Sequence, residues 1–207
     1  MNQDQDNIRS IKKRANNIQG VIDFFSIILI ILVVAIFIAL VFVFVASPER
    51  FNAVKGSSDW NVTYKLTNDS SFFINIPFKI IQPTGSSMFS AKYAALTGLF
   101  TIFINLSFVL YGINQVANIL KSTANDITPF IMKNVKRLKK LAYTIIIYSV
   151  VVDLLSSLLC SIFVTKIYNL DLSNIHLSGV LIGWLILIIS DIFKYGVFLQ
   201  KEFDTTL

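Results

Sequence analysis

A run of 23 consecutive residues, Phe24–Ala46, contains no charged side chain. A helix of about 20 apolar residues crosses the roughly 30 Å hydrocarbon layer of a bilayer, so this run is long enough to span one. It is longer than the core of a signal peptide, and the large Phe44 stands where a cleavage site needs a small residue. We therefore interpret the segment 21–46 as a retained membrane anchor.

Three further apolar segments follow. Counted with the segment 21–46 as the first, the second segment has no charged residue and the third contains only Asp153. The fourth contains Asp191 and Lys194 near its end. Charged residues make up 14% of the chain, against about 25% in soluble domains. The sequence predicts an all-α integral membrane protein, a single domain over 1–207 folded as a four-transmembrane-helix bundle. Its predicted spans are 21–46, 93–120, 141–164 and 177–199.

Lysine and arginine residues predict the orientation, because cytoplasmic flanks are enriched in them. The N-terminal segment, the loop 121–140 and the tail together hold twelve, whereas the loop 47–92 and the short loop 165–176 hold six. Both termini and the basic loop 121–140 are therefore predicted to lie in the cytoplasm of a bacterial cell, and the loop 47–92 outside.

The outer loop shows the alternation of a strand twice. Apolar residues recur at every second position from Trp60 to Leu66 and again from Ile74 to Ile80, with a polar turn cluster at 68–71 between them. An extracellular β-hairpin is expected. We favour a lid that packs on the helix ends over a ligand-binding hairpin.

The inner loop predicts a helix start, with Thr128 as its N-cap and Pro129 at its first position. Its first turns are amphipathic, with one basic face. Contact with anionic lipid accounts for that face, and docking of an acidic partner remains the alternative. Direct nucleic-acid binding is not expected, since no soluble domain presents the patch to a groove. The basic face consists of Lys133, Lys136, Arg137 and Lys140.

Polar residues inside the predicted spans point to packing rather than chemistry. Asp153 lies deep in the third span, where a charge is costly, and we expect it to form a polar clasp with Asn105 of the second span. Gly179 and Gly183 form a small-xxx-small pattern that permits close helix packing. With one His and one Cys, no catalytic residues, metal ligands or cofactor site are predicted, and the chain is not expected to be an enzyme.

Two segments resemble the signatures of a family of uncharacterised bacterial membrane proteins, the domain of unknown function 2975. The first runs from Asp126 to Lys140 and carries a Pro-Phe pair, a short gap, and an Asn before a basic stretch. The second is the C-terminal run 192–207, with Gly, Gln, Glu, Asp and Thr at the family's spacing. The matching positions of interest are Pro129, Phe130, Asn134, Lys136, Arg137, Gly196, Gln200, Glu202 and Asp204.

The resemblance implies a partner, because such proteins are often encoded beside a Cro/C1-type helix-turn-helix regulator. The nine positions above are then candidate contacts on the inner face. The leading hypothesis is a non-enzymatic membrane protein that regulates or tethers this transcription factor. The alternatives are a bacteriocin or toxin immunity protein, a small transport or export accessory protein, and a scaffold subunit of a membrane complex. The expected partners are the bilayer and this regulator, with a homo-oligomer left open.

Overall fold

The computed structural model describes residues 2–55, 59–65, 71–77, 89–125, 128–167 and 175–206. Four long helices dominate these residues: α1 (Asn2–Val45), α2 (Ala91–Asn125), α3 (Met132–Leu159) and α4 (Leu177–Thr206). A short 3₁₀ turn, Pro48–Arg50, follows α1, and a π-helical segment, Cys160–Thr165, continues α3. All four helices are long and apolar enough to cross a membrane, which confirms that four helices of sufficient length and apolarity lie in the predicted order.

Three strands lie between α1 and α2: β1 (Phe51–Lys55), β2 (Asp59–Lys65) and β3 (Ser71–Pro77). They form an antiparallel sheet in the order β1-β2-β3. Strand β2 pairs with β3 in the register Val62 opposite Ile74, as the alternation predicts for a hairpin. Strand β1 was not predicted, and Leu66, Phe78 and Ile80 lie outside the described residues.

The chain divides into two compact units. Unit 1 comprises Met1–Ile31, Ser107–Ser149 and His176–Leu207, and unit 2 comprises Leu32–Leu106 and Val150–Ile175. The single domain over 1–207 stays a prediction.

The core of unit 2 joins the sheet to the helix ends. Phe51 of β1 and Val62 and Tyr64 of β2 are buried in one cluster with helical residues such as Ala95 and Val164. The Tyr64 ring also packs edge-on against Phe42 of α1, at 5.6 Å between ring centres. The sheet therefore packs on the helices as a lid would.

Unit 1 contains a close antiparallel pairing of α3 with α4. The α3 residues that face α4 are Val135, Ala142 and Ser149, which are buried and spaced seven apart. Opposite them, the Ser190 hydroxyl donates to the Val135 carbonyl at 3.1 Å, and the His176 backbone N–H donates to the Ser149 carbonyl at 3.2 Å. Small residues at these positions let the two backbones approach closely.

Candidate functional site

The predicted inner-face segment begins with a tight turn before α3. Thr128 Oγ1 accepts the backbone N–H of Phe130 at 2.9 Å, and the Ile131 N–H donates to the Pro129 carbonyl at 3.0 Å. The helix starts only at Met132. The predicted N-cap at Thr128 was therefore wrong by about one turn, because its hydroxyl closes a turn two residues on instead of capping the helix.

Asn134 lies at the centre of a polar network that ties this turn to the end of α2. Its side chain is 0% exposed. The Asn134 amide donates to the Pro129 carbonyl at 3.0 Å, while its oxygen accepts from Ser122 Oγ at 2.6 Å and from Arg137 Nη1 at 3.1 Å. Arg137 also donates to the Asn118 carbonyl at 2.7 Å. Asn134 and Arg137 thus hold α2, the turn and α3 together.

The same turn contacts the last third of α4. The Thr128 hydroxyl donates to the Gln200 side-chain oxygen at 3.2 Å, and the Phe130 and Phe193 rings pack at 5.1 Å. Gly196 lies directly under Phe130: a Cβ there would come within 2.6 Å of the Phe130 ring. The structure therefore brings the two segments that carry the family resemblance into direct contact.

The remaining candidates on this face point outward. Lys136, Glu202 and Asp204 are exposed, and Phe130 is 38% exposed. The exposed Asp191 of α4 forms an ion pair with Lys139 of α3 at 3.4 Å. We call this surface the inner-face site. It is defined by Pro129, Phe130, Asn134, Lys136, Arg137, Gly196, Gln200, Glu202 and Asp204.

Within the inner-face site, buried and exposed residues have different roles. Asn134 presents no surface to a partner, so it positions the turn, and Gly196 provides room for the Phe130 ring. A partner would instead touch Phe130, Lys136 and the acidic residues at the end of α4. The exposed part of the site combines one aromatic ring, that of Phe130, with charged side chains of both signs.

The two glycines of α4 pack against α3 within unit 1. A Cβ on Gly183 would meet Ile146 and would lie 3.0 Å from the Ala142 carbonyl oxygen, and one on Gly179 would meet the Ser149 side chain. The two glycines therefore allow α4 to pack closely on α3 within unit 1.

The predicted clasp between Asp153 and Asn105 lies in unit 2. The Asn105 amide donates to the Thr101 carbonyl of its own helix at 2.9 Å. The hydroxyl oxygens of Thr101 and Ser156 lie 3.1 Å apart and form a polar link between α2 and α3. The clasp itself stays a prediction, and the Thr101–Ser156 link is one that sequence reasoning missed.

Other residues of the site were also missed. Ser122 and Asn118 bond across to α3, yet in the sequence they are two ordinary polar residues near the end of a helix. Phe193 lies at the start of the C-terminal segment that resembles the family but was not among the candidate contacts, and Ser190 lies three residues before it. Among the residues that the structure describes, no group of three or more His, Cys, Asp or Glu could hold a metal ion.

Comparison with known proteins gives a match to a family model. The model of the family described as "Protein of unknown function (DUF2975)" matches residues 79–207. This range contains α2, α3 and α4 and the whole of the inner-face site, whereas α1 and the sheet precede it. No curated protein and no solved structure matches the chain.

Proposed function

The chain belongs to the DUF2975 family, and we propose that it is a non-enzymatic, multi-pass protein of the bacterial cytoplasmic membrane that tethers or regulates a cytoplasmic helix-turn-helix transcription factor. Its four helices would be the spans, and the inner-face site would be the docking surface. The proposal has three parts: insertion, orientation and docking.

Insertion is supported by the exposure of large apolar side chains. In α1, Phe44 is 71% and Val45 79% exposed, and α4 exposes a similar row that includes Trp184 and Leu185. Soluble monomers rarely expose contiguous apolar patches beyond a few hundred Å². In a bilayer the same side chains face lipid tails, which are as apolar as they are.

Orientation is supported by the distribution of lysine and arginine. Twelve of the eighteen lie in the N-terminal segment, the 121–140 loop and the tail. The positive-inside rule places these segments in the cytoplasm, and the sheet β1–β3 outside.

One observation carries the docking part: the two segments that resemble the family signature, although about 60 residues apart in sequence, form one surface. The two segments are joined by the hydrogen bond from Thr128 to Gln200 and by the ring contact between Phe130 and Phe193. In the same two segments, Lys136 of α3 and Glu202 and Asp204 of α4 are exposed. A surface with fixed aromatic and charged groups suits recognition of a protein, and the resemblance indicates a Cro/C1-type regulator as that protein.

Co-purification tests the proposal. The full-length chain, tagged and solubilised in mild detergent, is expected to retain the helix-turn-helix protein encoded beside its gene. Lys136→Glu, and removal of residues 202–207, should each lower the recovery, because they change exposed charges of the docking surface without touching the Asn134 network. Lys65→Glu, on the exposed end of β2, is the matched control and should leave recovery unchanged.

Two results would contradict the docking part. One is that no helix-turn-helix protein is retained by the wild-type chain under any growth condition. The other is that Lys65→Glu lowers the recovery as much as Lys136→Glu does, since the effect would then reflect net charge rather than a surface.

A further inference from the structure

Unit 2 contains an open groove of about 470 Å³ along the end of α1, the start of α2 and the end of α3. Apart from Thr97 and the Tyr93 hydroxyl, its lining is entirely hydrocarbon. A polar ligand, or a peptide in extended form, would find almost no hydrogen-bond partner there, and an unpaired peptide group in an apolar site is costly. Six lining residues are aromatic: Phe37, Phe44, Tyr93, Phe100, Phe103 and Phe163.

The size of the groove distinguishes between apolar occupants. The lining extends along α2 from Tyr93 to Phe103, about 15 Å at 1.5 Å per residue, whereas a transmembrane helix of about 20 residues is about 30 Å long. A transmembrane helix of a partner or of a second copy would need a far longer surface. The volume instead falls in the range of about 300–1,000 Å³ that small molecules occupy.

A cation lies at one end of this groove. Lys92 Nζ donates to the carbonyl oxygen of Phe44 at 2.9 Å, and Phe44 itself lines the groove. An ammonium group has three N–H donors, so Lys92 Nζ can donate to another acceptor as well as to the Phe44 carbonyl oxygen. Because α1 ends at Val45 and α2 begins at Ala91, this end of the groove lies where the helices reach the predicted outer boundary of the hydrocarbon layer.

We propose that the groove binds one acyl chain of an anionic phospholipid, with its phosphate beside Lys92. The aromatic lining contacts the chain, and the cation contacts the headgroup. Lipid tails are as apolar as the lining, so occupancy depends on packing and on the headgroup contact. This inference rests on the insertion and orientation parts of the proposed function and is independent of the docking part.

The test measures retained lipid by native mass spectrometry of the purified full-length chain. The probes are phosphatidylglycerol and phosphatidylcholine with identical palmitoyl and oleoyl chains. The wild-type chain is expected to retain one phosphatidylglycerol, with about a fivefold preference over phosphatidylcholine, the factor that one lysine contributes at an anionic lipid surface. Lys92→Gln should abolish this preference while both lipids are still retained, and Lys92→Arg should keep it.

A matched pair of substitutions on α1 tests the groove itself. Val41→Trp places an indole in the groove and should remove the retained lipid. Ile38→Trp adds the same ring at an exposed position of α1 outside the lining and should not. Circular dichroism of both variants confirms that each is folded.

Equal lipid retention by Val41→Trp and the wild type would overturn the proposal, as would equal loss in Ile38→Trp. A dimer that Val41→Trp dissociates would assign the groove to a second copy of the chain instead. Failure of the co-purification experiment would leave these measurements unaffected, because the groove contains none of the residues of the inner-face site.

Discussion

Replacing Asn134 by Leu should destabilise the chain more than any other single polar substitution in the inner-face site. Asn134 is fully buried and makes three hydrogen bonds, with Pro129, Ser122 and Arg137. Leucine has a similar volume, so the change removes all three hydrogen bonds without leaving a large cavity. It also leaves the Pro129 carbonyl with one partner fewer.

The size of the effect follows from these contacts. A hydrogen bond between neutral groups contributes about 1 kcal/mol, and one to a charged group roughly 1.5–3 kcal/mol. The sum is about 3.5–5 kcal/mol. Arg137 keeps its hydrogen bond to the Asn118 carbonyl at 2.7 Å and lies 3.1 Å from Ser122 Oγ, so its guanidinium is not left alone. We therefore expect a loss near the lower end, about 3.5 kcal/mol of unfolding free energy.

Denaturant unfolding of the purified chain in detergent measures this loss. Asn114→Leu is the matched control, because Asn114 is an exposed asparagine of α2 and its replacement should change stability by less than about 0.5 kcal/mol. Asn134→Asp keeps the two accepted hydrogen bonds, but it loses the donated one and places a buried carboxylate oxygen against the Pro129 carbonyl, so it should cost more than the roughly 1 kcal/mol of one hydrogen bond. If Asn134→Leu is no more destabilising than Asn114→Leu, the network does not stabilise the fold and the reasoning fails.

The same unfolding assay checks three further predictions. Gly183→Ala should cost about 1–3 kcal/mol by overpacking, since its Cβ would lie 3.0 Å from the Ala142 carbonyl oxygen. The control Gly20→Ala has open space around it and should stabilise the chain by up to about 1 kcal/mol. If both substitutions change the free energy of unfolding in the same direction, the packing argument is contradicted. Thr101→Val removes the hydroxyl that links α2 to α3 and should cost about 0.6–1.7 kcal/mol, while no loss would show that the link contributes nothing. Asp191→Asn breaks an ion pair whose side chains are 41% and 68% exposed, so it should cost under about 1 kcal/mol and the cost should shrink with added salt; a larger or salt-independent cost would contradict an exposed pair.

Hydropathy predicted the apolar part of each helix. It did not predict the residues at which each helix begins and ends. The first span was predicted over 21–46, yet α1 runs from Asn2 to Val45. A helix satisfies its own backbone hydrogen bonds, so α1 can also include the polar residues that precede the apolar stretch. The number of spans was therefore predictable from apolarity, and the polar N-terminal extension of α1 was not.

Strand β1 escaped prediction because the polarity of its residues does not alternate, although their burial does. Phe51 is buried and Asn52 exposed, but Val54 is exposed although it is apolar. The pattern of five residues thus gives no clear period of two. Strands β2 and β3 were found because Val62 and Tyr64 alternate with polar neighbours, and the turn cluster between the strands is polar.

The inner-face site was predictable as a list of residues and not as a geometry. The positions came from the two segments that resemble the family, and the structure places these segments together. What the sequence could not provide was the choice of partner for each polar group. Ser122 bonds to Asn134 only because α2 presents that turn to α3, and such pairings depend on how helices pack rather than on any local pattern.

The packing of α4 explains why so much of this helix remains exposed. Its buried residues Gly183, Ser190 and Val197 are spaced seven apart, as are Val135, Ala142 and Ser149 on α3. A seven-residue spacing keeps a narrow seam facing one neighbour and favours a shallow left-handed crossing. Because this seam consists mainly of small residues, the two backbones approach closely while most of the large side chains of α4 point away. The exposed face is therefore a direct consequence of the seam, and toward its C-terminal end it carries Glu202 and Asp204 of the inner-face site.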